Sequence, residues 1–380
     1  MALRIAILGT RGIPNNYGGF EQIAGYLSKG LVEKGHSVTV YNSHKHPYKK
    51  SSWNNVQIVR CFDPEFLIGT AGQFVYDLNC ILDTRKKDFD IILMLGYTSS
   101  SVWRNLYPKN SVIITNMDGL EWKRSKYSLP VRKFLLYAEK LAIKTRGFFI
   151  ADSLAIKKYL DEKYKINSKY ISYGAEVINE INENVFDEFK LSKHNYFLLI
   201  ARMEPENNLE VILDGFYNTE SCKTFIVIGN TENKFGRYLL NKYKDDERIK
   251  FIGPIFDDKK VRTLTTYSSI YFHGHSVGGT NPSLLEAMAG KALIAAHDNL
   301  FNKTVLNNDA IYFNDASDIY KIITITTRAE REELMISNNF YKINAEFNWE
   351  KIINCYEEFF YECYASKNNE AIVINHRYVA

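Results

Sequence analysis

The sequence has 380 residues, of which 46% are hydrophobic and 24% charged, a balance typical of a folded globular protein. This length exceeds the usual size of one hydrophobic core, so two domains are expected. Five cysteines occur without a C-x-x-C pair, which argues against a disulfide or zinc framework and for a reducing compartment. Neither a signal-peptide pattern nor a membrane-spanning apolar run is evident, so a cytoplasmic protein is expected.

The net charge of +4 hides an asymmetry along the chain. Up to Tyr173 there are 26 Lys and Arg residues against 14 Asp and Glu, a balance of +12, whereas the remainder has 22 against 30, a balance of −8. The first half should therefore favour an anionic partner, such as lipid headgroups, a lipid diphosphate or nucleic acid. Because no nucleic-acid-binding motif is present, nucleic acid is not predicted as a partner.

The chain begins with a strand, a glycine-containing loop and a helix. The pattern predicts a buried parallel strand at Leu3–Leu8, a helix at Phe20–Glu33 and a second strand at Ser37–Tyr41. The loop lacks the G-x-G-x-x-G spacing of dinucleotide-binding proteins. Gly18 and Gly19 instead lie at the helix start, where free N–H groups and the lack of side chains would let the diphosphate of a ligand approach the backbone closely.

Further strands and helices follow in the first half. The pattern predicts strands at Val56–Arg60, Phe89–Leu95, Ser111–Thr115, Gly147–Ile150 and Tyr170–Tyr173, and helices at Phe74–Leu82 and Lys126–Arg146. Asp88 and Asp90 form a D-x-D pair, but they precede a strand rather than follow it, so a structural role is expected. Glu21, in the first turn of the first helix, is expected only to complement the helix dipole.

Polar side chains follow several of these strands, at the sheet edge where ligands of parallel sheets gather. The segment after the third of these strands, 116–124, carries two carboxylates, a tryptophan and two cations. Candidates for binding an acceptor are Glu121, Lys123 and Arg124. Candidates for catalysis are Asp118, Asp152 and Tyr173. The alternatives are a solvated loop, a helix cap and a packing tyrosine.

The predicted helix at Lys126–Arg146 is basic and amphipathic. Its apolar residues recur at helical spacing, and lysine and arginine side chains flank them. Such a helix can lie on an anionic membrane surface, or it can face the core with a solvated basic side. Peripheral membrane contact is therefore one of two open interpretations.

A second series of alternating strands and helices begins after a polar linker at Glu176–His194. The pattern predicts strands at Tyr196–Ile200, Thr224–Ile228, Lys250–Ile252, Ile270–Phe272 and Ala292–Ala295, and helices at Leu209–Phe216, Phe235–Tyr243, Lys259–Thr265 and Pro282–Ala289. This alternation implies a second parallel sheet with helices on both faces. The helical tail at Arg328–Ala365 is expected to close this domain and cross back onto the first.

The expected fold class is α/β, with two Rossmann-like domains and a cleft between them. The N-terminal domain, predicted at 1–175, would bind the acceptor and be covered by a returning C-terminal helix at about 348–380. The C-terminal domain, predicted at 176–347, would bind the donor. Ligands of open parallel sheets gather beyond the carboxyl ends of the strands, so both domains should contribute loops to the cleft.

The stretch 273–290 is the most informative part of the second half, because a strand, a loop and a helix start follow one another. Pro282 suits the first helical turn, where its missing N–H costs nothing. The free N–H groups and positive dipole end of a helix form an anion site. We interpret the stretch as a pocket for a nucleotide sugar, the donor of a sugar group. The predicted donor-binding residues are Gly279, Thr280, Asn281 and Glu286. The alternative is a tight turn with a solvated glutamate.

His273 and His275 form an H-x-H pair in the same stretch, but no third ligand is evident nearby. A structural or catalytic zinc site needs at least three protein ligands. We therefore predict no metal and no other cofactor.

Four motifs together resemble the retaining glycosyltransferases of family 4, which have the GT-B fold. The residues of these motifs are closer to those of a bacterial subgroup similar to the rhamnosyltransferases of polysaccharide assembly. The resemblance covers nearly the whole chain. The motifs are Gly9 to Pro14 with Tyr17 to Glu21, Asp118 to Arg124, Pro205 to Asn208, and Gly274 to Met288.

The resemblance implies roles for particular residues. Arg202 matches a cation that holds the donor diphosphate, and Glu286 matches the carboxylate that binds the ribose. Asn207 stands where the family usually has a lysine, and Gly278 stands where it has the first carboxylate of a pair. These two departures leave the donor sugar open, although Asn207 is still expected among the donor-binding residues.

The resemblance also implies an activity, that of a metal-independent, retaining hexosyltransferase. The expected reaction moves L-rhamnose from dTDP-rhamnose to a lipid-diphosphate-linked saccharide in capsule or other surface polysaccharide synthesis, at the inner face of the membrane. A UDP- or GDP-sugar donor is one alternative, and a sugar-nucleotide epimerase is another. An NAD-dependent oxidoreductase would need an acidic residue at the end of the second strand, where this chain has Tyr41-Asn42-Ser43.

Overall fold

The computed structural model describes residues 1–16, 18–177, 179–326 and 329–377, with side chains described up to residue 367. The chain divides into two compact units. Unit 1 comprises Met1–Trp122, Leu129–Tyr173 and the segment from Trp349 onward, and unit 2 comprises Lys123–Ser128 and Gly174–Asn348. Tyr17 and Arg328, which belong to predicted elements, lie outside the described residues.

Strands and helices alternate along most of the chain. The strands are β1 (Arg4–Leu8), β2 (Ser37–Ser43), β3 (Ser52–Trp53), β4 (Val56–Cys61), β5 (Ile91–Leu95), β6 (Val112–Asn116), β7 (Phe148–Ala151), β8 (Lys169–Tyr170), β9 (Tyr196–Ile200), β10 (Thr224–Ile228), β11 (Ile249–Phe251), β12 (Ile270–His273), β13 (Ile294–His297) and β14 (Ile311–Phe313). The helices are α1 (Gly19–Glu33), α2 (Glu65–Ile68), α3 (Gly72–Thr84), α4 (Leu129–Ile143), α5 (Leu154–Tyr164), α6 (Asn184–Phe189), α7 (Leu209–Tyr217), α8 (Lys234–Lys242), α9 (Asp258–Thr266), α10 (Pro282–Ala289), α11 (Leu300–Leu306), α12 (Ala316–Ile325), α13 (Glu330–Ala345) and α14 (Trp349–Arg377).

Unit 1 is built on an eight-stranded sheet in the order β3-β4-β2-β1-β5-β6-β7-β8, as far as the described residues show. Its strands pair in parallel except for the edge hairpin of β3 with β4. The central strand β1 is buried from Ile5 to Leu8, because a parallel sheet with helices on both faces has no solvated side. The loops after β1, β5, β6 and β7 therefore emerge along one edge of this sheet.

The C-terminal helix α14 packs against α1 within unit 1. The rings of Tyr26 and Trp349 stack with their centroids 4.4 Å apart. A Cβ at Gly30 of α1 would lie 2.4 Å from the Cδ1 atom of Ile353, so a larger residue there would force the Ile353 side chain to move. The predicted return of the C-terminal helix onto the first sheet is confirmed.

Unit 2 is built on a six-stranded sheet in the order β11-β10-β9-β12-β13-β14, again counted over the described residues. All of its strand pairs are parallel. Phenylalanine side chains dominate one side of its core; Phe197, Phe216, Phe225 and Phe272 contact one another with ring centroids 5.1 to 5.9 Å apart. The predicted α/β class with two parallel sheets is confirmed.

Several predicted elements need correction. The strand predicted at Tyr170–Tyr173 ends at Tyr170, and the strand predicted at Ala292–Ala295 begins two residues later, at Ile294. Ala292 is apolar and buried, but its N–H donates to the carbonyl of Ala287 and so closes the preceding helix instead of extending the sheet. The predicted linker at Glu176–His194 contains the short helix α6.

Candidate functional site

The strand, loop and helix predicted at 273–290 are present in unit 2 as β12, the loop after it and α10. Asn281 caps the helix, because its Oδ1 accepts hydrogen bonds from the Ser283 N–H at 3.0 Å and the Ser283 hydroxyl at 2.8 Å. Pro282 occupies the first helical turn, as its missing N–H favours. The side-chain oxygen of Asn281, a predicted donor ligand, therefore fixes the start of the helix.

The loop after β12 lies directly against the loop after β9. A Cβ at Gly274 would lie 2.1 Å from the carbonyl oxygen of Asn207, so a side chain is excluded there. Asn208 Nδ2 donates to the Gly274 carbonyl at 2.7 Å. The N–H and the hydroxyl of Ser276 donate to the Glu206 carbonyl at 3.1 and 2.7 Å. These bonds hold the two loops in place before any ligand binds.

Arg202 is the cation that the sequence predicts for this edge of the sheet. It is exposed, and it follows β9 after one residue. Asn207, another predicted donor ligand, is only 2% exposed, and its Nδ2 donates to the Arg202 carbonyl at 2.9 Å. The structure therefore gives Asn207 a supporting role, in which it fixes the backbone that carries Arg202.

The remaining predicted donor ligands lie around the start of α10. Glu286 is half-buried, and its carbonyl accepts a hydrogen bond from Arg262 Nη1 at 3.0 Å. Thr280 is 3% exposed, and Gly279 is half-buried. Gly278 has φ of +141°, a conformation that side chains other than glycine strongly disfavour. This backbone requirement explains why position 278 carries no carboxylate.

Segment 123–128 belongs to unit 2, although the sequence groups it with unit 1. It carries Lys123 and Arg124, which were predicted to bind the acceptor together with Glu121 of unit 1. Arg124 Nη1 lies 3.7 Å from Oε1 of Glu206, a carboxylate whose side chain is 2% exposed. Sequence reasoning missed Glu206 as a site residue, although a carboxylate soon after a strand end was available as a signal.

The two histidines at the end of β12 stack on each other. The ring centroids of His273 and His275 are 4.5 Å apart and their planes differ by 17°. Burial, with a smaller effect from His297, lowers the pKa of His273 to about 3. Burial and then the charges of His273, Arg202 and Arg124 hold the pKa of His275 well below its usual value. Both rings are therefore neutral near pH 7.

At the end of β1 in unit 1, the predicted glycine pair opens α1. Gly18 is the N-cap residue without a side-chain cap, Gly19 is the first helical residue, and a Cβ at Gly18 would meet no atom within 4 Å. Glu21 was expected only to complement the helix dipole. It is instead 3% exposed, and its Oε2 accepts from the Asn16 N–H at 2.7 Å. Glu21 therefore fixes the loop that precedes the helix.

The three predicted catalytic side chains of unit 1 interact electrostatically. Burial raises the pKa of Tyr173 well above its usual value, and the charges of Asp118 and Asp152, with Tyr356, raise it further. Asp152 is 1% and Tyr173 4% exposed. Asn116 joins this group, because its Oδ1 accepts from the Asp118 N–H at 3.0 Å and its Nδ2 donates to the Tyr356 hydroxyl at 3.4 Å. Sequence reasoning missed Asn116 and Tyr356.

Trp122, the aromatic residue of the predicted acceptor segment, has a structural partner. Its Nε1 donates to Oε2 of Glu139 at 3.1 Å. Oε1 of the same carboxylate accepts from the hydroxyls of Tyr159 at 2.7 Å and Tyr164 at 2.5 Å, and from Lys163 Nζ at 3.0 Å. Trp122 therefore belongs to a hydrogen-bonded cluster that joins α4 and α5.

Two kinds of specialised feature are absent from the described residues. Among these residues no group of three or more His, Cys, Asp and Glu side chains could hold a metal ion. Within the same ranges no helix is long and apolar enough to cross a membrane.

Comparisons with known proteins extend this description. A family model described as a domain of unknown function, DUF1972, matches residues 3–176, which include β1 to β8. A search of curated proteins finds no match.

Solved structures match nearly the whole chain. A sucrose-phosphate synthase from Thermosynechococcus elongatus has a TM-score of 0.78 at 15% identity, covering 96% of this chain and 100% of its own. Anabaena HepE, solved with UDP and glucose, has a TM-score of 0.75 at 14% identity, covering 95% and 100%. The chain has the GT-B fold. A glycosyltransferase from Rickettsia africae also matches, with a TM-score of 0.71 at 16% identity over 95% of this chain and 98% of that one.

The GT-B fold agrees with the architecture that the sequence predicts. At these identities the likeness concerns the fold alone, and the residue roles rest on the geometry of each unit. In unit 2 that geometry consists of two fixed strand-end loops, an exposed arginine and a helix start. In unit 1 it consists of a buried group of carboxylates and tyrosines.

Proposed function

We propose that this chain is a glycosyltransferase that uses a nucleoside diphosphate sugar as its donor. The observation that carries the proposal is the pair of fixed loops in unit 2, beside exposed Arg202 and the start of α10. The positive dipole end of this helix and a guanidinium on the neighbouring loop favour a diphosphate. Glu286 would accept hydrogen bonds from the ribose hydroxyls. The complex of HepE with UDP and glucose, a protein of the same fold, supports this donor class.

The proposed reaction retains the configuration at the anomeric carbon. The acceptor hydroxyl oxygen forms a bond to that carbon on the face from which the diphosphate leaves. The electron pair of the broken carbon–oxygen bond passes to the diphosphate, and a phosphate oxygen takes the hydroxyl proton. Arg202 and the loop N–H groups around Gly279 and Thr280 would stabilise the charge that develops on the leaving group. The role of Gly18 and Gly19 as backbone donor ligands stays a prediction from the sequence, and the reaction as proposed uses no metal.

Unit 1 supplies the proposed acceptor side. Asp118 and Asp152 are carboxylates that can orient an acceptor hydroxyl or stabilise positive charge on the sugar ring, and Tyr173 interacts electrostatically with both. Because burial keeps the Tyr173 hydroxyl protonated, it can donate a hydrogen bond at any physiological pH. Glu121 of unit 1 is proposed to contact the acceptor beyond this group; Lys123, which belongs to unit 2, stays a predicted acceptor ligand.

The donor sugar that we propose is L-rhamnose carried by dTDP, and a UDP- or GDP-sugar is the alternative. The sequence motifs support the first choice, and the UDP complex of HepE supports a UDP-sugar. A sugar-nucleotide epimerase is the rival from another class of enzymes. It would consume or epimerise the donor in the absence of any acceptor, whereas a glycosyltransferase would need one.

A thermal-shift experiment with the full chain would test the donor site. The protein is heated with dTDP-rhamnose and with UDP- and GDP-sugars, and separately with the matching nucleosides. A ligand that binds only the folded state raises the melting temperature, so at least one nucleotide sugar should do so more than its nucleoside. A chain that responds to none of these donors would contradict the proposed function.

Arg202→Ala is the variant that tests the diphosphate assignment. It should lower the donor affinity at least tenfold and abolish transfer, because a charge-assisted hydrogen bond contributes about 1.5–3 kcal/mol. Arg331→Ala, at an exposed arginine of α13 in the same unit, is the matched control and should leave both unchanged. Equal donor binding by the two variants would overturn the role of Arg202.

We further propose that the acceptor is a lipid-diphosphate-linked saccharide, so that the enzyme works at the inner membrane surface. An exposed apolar patch in unit 1 supports this part of the proposal. Its side chains are 51 to 69% exposed: Phe62, Phe66, Leu67 and Ile68. Lys45 Nζ lies 4.3 Å from the centre of the Phe66 ring. Aromatic and aliphatic side chains beside lysines suit the headgroup region of an anionic bilayer.

Vesicle sedimentation would test this membrane contact. The chain should sediment with vesicles that contain phosphatidylglycerol and much less with phosphatidylcholine alone. Phe66→Ser combined with Leu67→Ser should release it, whereas Leu334→Ser, at a leucine of α13 that is 59% exposed, should not. Equal sedimentation of the two variants, or none by the unchanged chain, would contradict the membrane contact.

A further inference from the structure

Segment 123–128 brings a second arginine into the proposed donor unit. Arg124 lies on this segment, whose flanking residues on both sides belong to unit 1. The Ser125 hydroxyl donates to Glu206 Oε2 at 3.3 Å, and Arg124 Nη1 lies 3.7 Å from Glu206 Oε1. The Arg124 side chain is 12% exposed, so it is held largely within the protein surface instead of extending freely into solvent.

Glu206 in turn is fixed to both strand-end loops. It lies on the loop after β9, and its carbonyl accepts two hydrogen bonds from Ser276 on the loop after β12. A side chain held by the Glu206 carboxylate is therefore held close to these loops. Arg202 emerges from the same β9 loop, and Asn207 fixes its carbonyl.

The pKa of His275, the second of the two stacked histidines, depends on both arginines. Beyond the effect of burial and of His273, the charges of Arg202 and Arg124 contribute to the lowered pKa of His275. Two guanidinium groups are therefore within electrostatic range of one ring, although they lie 78 positions apart in the sequence. A diphosphate bound beside this ring would lie in the field of both.

We propose that Arg124 is a second diphosphate-binding residue and that Glu206 positions it. The inference rests on the proposed donor site and extends it to a residue outside the Gly174–Asn348 part of unit 2. A nucleoside diphosphate carries at least two negative charges, and it gains charge as the sugar leaves. One arginine offsets only part of this charge. A guanidinium has five N–H donors, more than one carboxylate can use, so Arg124 can contact Glu206 and a phosphate oxygen together.

The test compares diphosphates with nucleosides. Calorimetric titration measures the binding of dTDP, UDP and GDP, and of thymidine, uridine and guanosine, to the full chain. Arg124→Ala should weaken binding of the preferred diphosphate at least tenfold and change binding of its nucleoside less than twofold. Arg124→Lys should recover part of the loss, because lysine keeps the positive charge. The recovery should be incomplete, because lysine lacks the planar, forked N–H donors of the guanidinium. Lys126→Ala is the control, since Lys126 lies on the same segment as Arg124 and pairs with Glu204 at 3.6 Å.

The outcomes separate this inference from the proposed function. Selective loss of diphosphate binding in Arg124→Ala, with Lys126→Ala close to the unchanged chain, supports the inference. Equal loss for diphosphate and nucleoside would mean that Arg124 only holds the fold, and an unaffected Arg124→Ala variant would also overturn the inference. If the variant does not fold, Arg124→Lys gives the same comparison. An unchanged chain that binds none of the diphosphates would instead refute the donor site itself.

Discussion

Glu139 in unit 1 and Glu206 in unit 2 are both buried carboxylates, but their surroundings differ. Glu139 is 1% exposed and accepts hydrogen bonds from Trp122 and from three further side chains at 2.5 to 3.1 Å. The Glu206 side chain is 2% exposed. Its Oε2 accepts from Ser125 at 3.3 Å, and within the described residues its Oε1 has no hydrogen bond, with Arg124 at 3.7 Å.

The different numbers of hydrogen bonds indicate different roles for the two buried carboxylates. A buried carboxylate stabilises a fold only when donors replace the water that it loses, and Glu139 has such donors on α5 and at Trp122, in the turn before α4. Glu206 lacks a full set, so its burial contributes less to stability or even opposes it. Buried polar groups that are incompletely satisfied are candidates for function. We therefore assign a structural role to Glu139 and a positioning role to Glu206.

The largest expected effect comes from removing Glu139. Glu139→Ala would leave Trp122 Nε1, two tyrosine hydroxyls and Lys163 without their common acceptor. We expect a loss of about 3–5 kcal/mol of unfolding free energy, as for other broken buried pairs, whereas Glu206→Ala should cost only about 1–2 kcal/mol. Urea unfolding, followed by amide exchange in α4 and α5, would measure both. Comparable losses in the two variants would remove the distinction between the carboxylates.

A smaller effect is expected from closing the space between the two loops of unit 2. In Gly274→Ala the new Cβ must move away from the Asn207 carbonyl, which costs about 1–3 kcal/mol and displaces the backbone beside Arg202. Affinity for the preferred nucleoside diphosphate should fall at least tenfold in titration calorimetry.

Gly25→Ala is the matched control for this substitution. Its Cβ would lie 3.9 Å from Trp53, an ordinary contact, and alanine is favoured by about 0.5–1 kcal/mol inside a helix. This variant should be more stable than the unchanged chain and should bind diphosphate normally. Unaltered diphosphate affinity in Gly274→Ala would show that the fixed loops do not shape the site.

The effect expected to be smallest near neutral pH is a pH dependence that belongs to unit 2. The pKa of His273 is lowered to about 3 in the folded chain from the usual 6.5, so the unfolded chain takes up a proton first as the pH falls. The stability due to neutral His273 is therefore complete above pH 6.5 and is lost progressively toward pH 3. At pH 5 the loss from this residue should be about 2 kcal/mol.

The variant His273→Phe should reveal this dependence by removing it. Urea unfolding at pH 7.5, 6.5 and 5 would compare the two chains, and the variant should lose less stability on acidification. His275 and His297 also have lowered pKa values, so part of the acid sensitivity should remain. Parallel curves for the two chains would contradict the assignment to His273.

Local signals account for what the sequence predicted well. Alternating apolar strands and amphipathic helices specify two parallel sheets, because hydrophobic periodicity depends on residues close in the chain. The loops after β1, β9 and β12 could be located in the same way, since each begins where an apolar strand ends. Arg202, Gly18 and Glu286 therefore emerged as candidates without any tertiary information.

Long-range contacts account for what it missed. Asn116 and Tyr356 are joined by a hydrogen bond across 240 positions, and no periodic pattern connects residues so far apart. Glu139 was not among the predicted residues, because its partners on α5 lie 20 to 25 positions further along the chain. The strand predicted at Ala292–Ala295 is present but begins two residues late, since burial of Ala292 did not reveal where its N–H would donate.

The fold class and the strand ends at which ligand-binding residues should occur can be predicted from the sequence alone, because both follow from local chemistry. Which of these residues share a unit depends on contacts between distant parts of the chain, and only the three-dimensional structure shows these contacts. Segment 123–128 follows a strand of unit 1, yet it belongs to unit 2, since Glu206 and Glu204 offer buried or half-buried carboxylates to its cations. Such electrostatic attraction acts between atoms close in space, whatever their separation along the chain.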